Sequence, residues 1–107
     1  MTELKRQPTH VGEVLKEEFL VPLGLTQSYL AKALHTSFRA INELVNEKRG
    51  MTTEMALKLA KYFGTSPQLW LNLQNQYDLY KVSHKKKNEL DEIEIGHFEV
   101  AWVIKQK

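Results

Sequence analysis

The chain predicts an all-α domain with a short C-terminal extension, and three observations carry that reading. Apolar residues recur at the three- and four-residue spacing of a helix face through most of the chain up to Ser83. Ser, Thr, Pro and Gly fall between these stretches, where helices begin and end. The connections are short, so successive helices must pack as neighbours.

In order, a first helix is expected from about Val11 to Leu20, with Val11, Val14, Leu15 and Phe19 on one face. Pro22 should end it, because the residue before a proline is pushed out of the helical region. Thr26 and Ser37 are suited to cap a second and a third helix. Leu30, Ala31 and Leu34 make an apolar stripe on the second; after a break at His35-Thr36, Ile41, Leu44 and Val45 make one on the third. Ala31 is small enough for the two to cross closely, with Ile41 and Leu44 filling the angle. Thr52 precedes a fourth helix carrying Ala56, Leu59, Ala60 and Phe63, closed by Gly64. Ser66 followed by Pro67 is a cap and first-turn signal for a fifth. Its expected buried face carries Leu69, Trp70, Leu73, Tyr77 and Tyr80. Residues 1–84 then form one five-helix domain, and 85–107 a tail making a dimer or partner contact.

The tail allows two readings. Ile93, Ile95, Phe98, Val100, Trp102 and Ile104 alternate as strands would, with a hairpin around Gly96-His97. That register sets Glu94 against Glu99. Leu90, Ile93, His97, Ala101 and Ile104 also fit a helix. β-branched residues and Gly96 favour the strand.

A chain of 107 residues buries roughly two thirds of its unfolded surface and folds without a metal or disulfide. It has no cysteine, which excludes disulfides and thiolate chemistry and fits a reducing, cytoplasmic setting. No signal peptide is expected from Met-Thr-Glu-Leu-Lys-Arg. The longest wholly apolar run, residues 100–104, is far short of the roughly 20 needed to cross a bilayer, so no membrane partner is expected. His10, His35, His84 and His97 have no ligand spacing, no Ser-His-Asp order suggests a triad, and there is no Gly-rich phosphate loop. No metal, cofactor, small-molecule substrate or enzymatic activity is therefore expected.

The net charge of +2 is a weak pointer to nucleic acid, but its distribution says more. Between Lys32 and Lys61, six Lys or Arg stand against three Glu. On the third helix Phe38, Arg39, Asn42 and Glu43 are the candidate base readers. Arg forks onto guanine, Asn pairs with adenine, Glu accepts from cytosine, and a phenyl ring can touch thymine methyls. Phe38 alternatively packs on the rim of the core. Gln27 and Ser37, at helix N-termini, and Asn46, Lys48 and Arg49, after the third helix, are candidate phosphate contacts. Two short helices with this face exposed form a helix-turn-helix, whose second helix enters the DNA major groove. Leu71, Leu79 and Val82 fall opposite the core face of the fifth helix. With Phe98 and Trp102 they are candidates for a dimer or partner contact. Trp70, Tyr77 and Tyr80 read as core rather than as a base-stacking platform.

Leu25-Thr-Gln-Ser-Tyr-Leu-Ala resembles the start of the phage-repressor helix-turn-helix, of the Cro and C1 or XRE type. Three longer stretches resemble the HigA antitoxins, also called virulence-associated protein I. They are His10-Val-Gly-Glu-Val-Leu-Lys-Glu-Glu-Phe, Asn46-Glu-Lys-Arg-Gly-Met-Thr, and Ala56-Leu-Lys-Leu-Ala-Lys-Tyr-Phe-Gly-Thr-Ser-Pro-Gln-Leu-Trp-Leu-Asn-Leu-Gln. The likeness runs from about Thr9 to Val82; residues 96–107 extend past it. It implies a homodimer that represses its own operon on double-stranded operator DNA. It also implies neutralisation of HigB, a ribosome-dependent, RelE-like mRNA endonuclease toxin. The chain departs from the family where many members have Pro at Val11, and Gly at Glu47 and His35. Where that turn needs a positive φ, His35 sits there at some strain. Two other functions stay open on the residues alone: a stand-alone phage or plasmid repressor, and a protein-binding antidote without operator recognition.

Overall fold

The computed structural model describes residues 7–99. The first helix, α1, is continuous through three segments: α-helical Val11–Val14, a π-helical stretch Leu15–Leu20, and α-helical Val21–Leu23. Then follow α2 (Gln27–Ala33), α3 (Phe38–Val45), α4 (Thr53–Phe63), α5 (Pro67–Lys85) and α6 (Lys87–Asp91). The all-α expectation holds, with α6 an addition to the five helices expected.

The expected N-caps form as local chemistry dictates. Thr26, Ser37, Thr52 and Ser66 each accept, through the side-chain hydroxyl, the backbone N–H three residues on. The first helix is capped differently: buried His10 accepts the Gly12 N–H at Nδ1, 2.9 Å away, so its ring proton sits on Nε2. The His10 ring meets Tyr77 of α5 edge-on, with centroids 4.7 Å apart.

Pro22 does not end α1. Val21 stays helical, at φ −63° and ψ −54°, and its N–H reaches the Lys16 carbonyl, five residues back. A proline ring normally meets the carbonyl four residues before it. The wide π turn opens the helix just upstream and removes that conflict. Gly24, left-handed at φ 65°, is the stop. Its N–H bonds Val21 and that of Leu25 bonds Leu20, the paired bonds of a Schellman cap.

The same pairing recurs where the residue is not glycine. His35 (φ 56°) and Glu47 (φ 61°) are both left-handed. Thr36 N–H bonds Ala31 O at 2.9 Å, and Lys48 N–H bonds Glu43 O at 2.7 Å. The strain anticipated at His35 is therefore present, and Glu47 shares it.

Val11, Leu15, Leu30, Ile41, Leu44, Leu59 and Trp70 form the fully buried centre. Trp70 donates its indole N–H to Thr65 Oγ1 at 2.8 Å, which satisfies the one polar atom it buries. That explains the run Gly64-Thr-Ser-Pro-Gln-Leu-Trp: a left-handed stop, an acceptor for the indole, a cap, a first-turn proline and the anchor.

On α5 the expected faces shift. Leu69 is exposed rather than core, while Tyr77 and Tyr80 sit half-buried at the rim. Leu71, expected opposite the core, packs against it alongside Leu73. In the tail no strand forms among the described residues. Lys87 pairs with Asp91 one turn on, at 3.2 Å, in α6, and residues 94–99 have no regular structure. Ile93 and Ile95 are exposed with no strand beside them, so their β-branched character has no ladder to stabilise. Trp102, with Val100, Ala101 and Ile104, lies outside the described residues.

Candidate nucleic-acid interface

The candidate recognition element is α3, and its placement follows from burial. Ala40, Ile41, Leu44 and Val45 are buried, which turns the opposite side of the helix outward. Gly12 lets α1 meet α3 backbone to backbone: a Cβ there would stand 1.8 Å from the Leu44 carbonyl oxygen. α2 packs across α3 through Leu30, Ala31 and Leu34. The angle between the helices is set by the His35 turn, whose carbonyl also accepts from Lys58 of α4 at 3.3 Å.

The outward face carries the expected side chains, and most are already engaged with one another. Glu43 Oε2 accepts from Arg39 Nε at 3.0 Å. Glu43 Oε1 accepts from Arg49 Nη2 at 2.6 Å and from its Nε at 3.1 Å. The Arg49 guanidinium, and after it that of Arg39, holds the Glu43 carboxyl below its ordinary range. The Arg39 side chain is 83% exposed, against 25% for Glu43. Asn42 donates from Nδ2 to Gln27 Oε1 at 3.0 Å, tying α3 to the first residue of α2. Gln27 uses its side-chain oxygen in this bond and not its amide N–H groups. Ser37 Oγ is spent as acceptor on the Ala40 N–H but keeps its hydroxyl proton.

Phe38 is 52% exposed, so it projects from the start of α3 rather than packing on the core rim. Asn46 and Lys48 are exposed in the turn that follows α3. That turn is fastened from behind by Gln74 of α5, whose Oε1 accepts the Met51 N–H at 2.6 Å. Sequence reasoning missed Gln74; its one signal was its place at the end of the Trp70-Leu-Asn-Leu-Gln74 block. Leu79 and Val82 are 57% and 54% exposed on α5, and Phe98 is 81% exposed, away from α3 in sequence. No group of acidic or histidine side chains among the described residues is arranged to hold a metal. No helix among them is long and apolar enough to cross a membrane.

The helix-turn-helix family model matches residues 15–70, which spans α1 to the start of α5. Virulence-associated protein I of Dichelobacter nodosus is 51% identical over 79 residues, 74% of this chain and 73% of that one. Antitoxin HigA-1 of Vibrio cholerae is 38% identical over 89 residues, 83% and 84% of the two chains. The chain belongs to the helix-turn-helix family of HigA-type antitoxins. Among solved structures, the Pseudomonas aeruginosa antitoxin HigA with the higBA promoter superposes with a TM-score of 0.79 at 39% identity. It covers 82% of this chain and 97% of that one. This family consists of DNA-binding regulators rather than enzymes. Upstream of the matched segment, His10 caps α1 and Gly12 is the point where α1 touches α3.

Proposed function

We propose that this chain is a sequence-specific autorepressor that also binds and neutralises a RelE/HigB-like mRNA endonuclease in the cytoplasm. The observation that carries the DNA half is the outward face of α3. Phe38, Arg39 and Asn42 project there from a helix whose other side is buried, with Lys48 and Arg49 at its far end. As a symmetric dimer it would place two copies of α3 in successive major grooves about 34–36 Å apart. The relative from Pseudomonas aeruginosa, solved with promoter DNA, supports this reading.

For the dimer, the exposed Leu79 and Val82 on the distal half of α5 offer an apolar stripe, and Leu71 is relieved of that role by its packing on the core. For the toxin, residues 89–99 combine carboxylates with exposed Leu90, Ile93, Ile95 and Phe98. An acidic, apolar segment complements the basic surface of an RNA-binding enzyme. A second reading, an antidote without operator recognition, is favoured by one observation: Glu43 neutralises part of the reading face by pairing with both arginines.

Selection of a duplex from a randomised library by the full chain decides between them. The autorepressor selects a site, binds it with steeply salt-dependent affinity, and loses roughly 1–3 kcal/mol of preference in Arg39→Ala. An antidote alone selects none. Co-expression with the adjacent gene and capture of its product tests the toxin half. Truncation after Lys86, beyond the end of α5, should keep DNA binding and lose the toxin.

A further inference from the structure

Resting on the operator-reading assignment above, we infer that Glu43 reads no base but holds Arg39 and Arg49 as one unit, setting specificity through Arg39. A glutamate that reads cytosine must bring a free carboxylate oxygen to the base amino group at the groove floor. Three of the roughly four acceptor sites of the Glu43 carboxylate are taken by arginines of its own chain, which fix its direction, and it lies behind the far more exposed Arg39.

The way Arg39 is held matters. Glu43 grips it at Nε, 3.0 Å away, which leaves both terminal amino groups free. Those two groups are the fork that grips guanine O6 and N7. An exposed arginine otherwise loses much rotamer freedom on binding, and a carboxylate that fixes its direction beforehand reduces that loss. Arg49 is gripped at Nε and Nη2, leaving Nη1 for a phosphate. The left-handed turn at Glu47 makes this possible: it folds the chain back so that residue 49 returns over residue 43.

The charge balance points the same way. With Glu43 in place, the three side chains carry a net single positive charge. Without it, two unrestrained cations face the phosphates, and sequence-independent affinity rises while discrimination falls. Glu43 thus trades affinity for selectivity. A glutamate carboxyl is ionised at neutral pH, and the two arginines lower its pKa further.

The test uses the full chain and the duplex that wild type selects from a randomised library, against a scrambled duplex, at several salt concentrations. Compared are wild type, Arg39→Ala, Glu43→Ala, Glu43→Gln and the double alanine variant. Glu43→Ala should lose about tenfold in selectivity, blurring the same base pair as Arg39→Ala. The double variant should be no less selective than Arg39→Ala alone. On scrambled duplex Glu43→Ala should bind at least as tightly as wild type, with a salt slope steeper by about 1, which misfolding cannot produce. Glu43→Gln, keeping the shape and one acceptor oxygen, should fall between. Additive losses, or a blurred base pair different from that of Arg39→Ala, overturn the inference, as does unchanged selectivity in Glu43→Ala. These failures leave the operator reading standing if wild type selects a site. Failure of wild type to select any site overturns the operator reading and this inference with it.

Discussion

Gly12→Ala should be among the most damaging single-methyl additions in this protein. The added Cβ would stand 1.8 Å from the Leu44 carbonyl oxygen and 2.8 Å from its carbon. Carbon and oxygen rest at about 3.3 Å, so α1 and α3 would have to part by roughly 1.5 Å. No rotamer change relieves this, because the obstacle is backbone. α1 cannot easily retreat, because its buried cap, His10, packs edge-on against Tyr77 of α5. Fully buried Val11 and Leu15 would move with it. Overpacking usually costs about 1–3 kcal/mol when side chains can adjust, so a rigid contact of this kind should reach about 3 kcal/mol or more. In a domain of this size that lowers the melting temperature by about 12 °C or more. Circular dichroism melting of the full chain measures it. A melting temperature within about 4 °C of wild type would refute the reasoning, because α1 and α3 could then separate at little cost. Gly50→Ala is the internal control: the atoms nearest its added Cβ belong to the Gln74 side-chain amide, at 3.0 Å, which can shift at the expense of its bond to Met51, so its loss should be smaller.

Glu47→Gly and His35→Gly should each stabilise the protein by about 0.5–1 kcal/mol, the left-handed penalty less the extra freedom glycine has when unfolded; a lower melting temperature in both counts against the strain. Leu79→Glu should convert dimers to monomers in analytical ultracentrifugation and leave the melting of the core largely intact, whereas Leu71→Glu should lower stability because Leu71 packs on the core. For Glu43, the arginine hydrogen bonds lower the folded pKa, so the pairing is present above the ordinary glutamate value and lost as pH falls through the lower folded one. NMR titration of that carboxyl should therefore give a midpoint below the ordinary value, raised by Arg49→Ala; a midpoint at or above the ordinary value contradicts the clamp.

What could be read from the chain was what depends on near neighbours. The caps at Thr26, Ser37, Thr52 and Ser66 are three-residue interactions, and each formed. The stripe of Ile41 and Leu44 fixed which side of α3 is buried and hence which side carries Arg39, Asn42 and Glu43. Pro22 misled because the rule for residues before proline is a tendency, and a π turn upstream escapes it. Ile93 and Ile95 misled because alternation describes half of a sheet; without a neighbouring strand the pattern has nothing to pair with. Leu71 misled because a helical wheel assumes one packing direction, whereas α5 packs against both α4 and α1. The engagement of Glu43 by Arg49 and the hold of Gln74 on Met51 depend on how turns bring distant residues together, so neither spacing nor composition announces them.

Among the described residues, two non-glycines are held at positive φ, and they bracket the recognition helix: His35 before it and Glu47 after it. Gly24 and Gly64 close α1 and α4 at the same angles without a Cβ to crowd. All these helix ends are tied by a six-to-one backbone bond: Leu25 to Leu20, Thr36 to Ala31, Lys48 to Glu43 and Thr65 to Ala60. Their geometry is alike, so a difference in stability must come from the residue at the left-handed position, at about 1–2 kcal/mol for each non-glycine. Local opening should therefore start on either side of α3 rather than at the ends of α1 or α4. Native-state amide exchange reads this directly, once corrected for intrinsic rates. The N–H groups of Thr36 and Lys48 should exchange about fivefold to thirtyfold faster than those of Leu25 and Thr65, the factor that 1–2 kcal/mol represents. Glu47→Gly should slow Lys48 toward the glycine-capped pair without changing Thr36. Equal protection at all these positions in the wild-type chain would mean that the turns around α3 carry no strain.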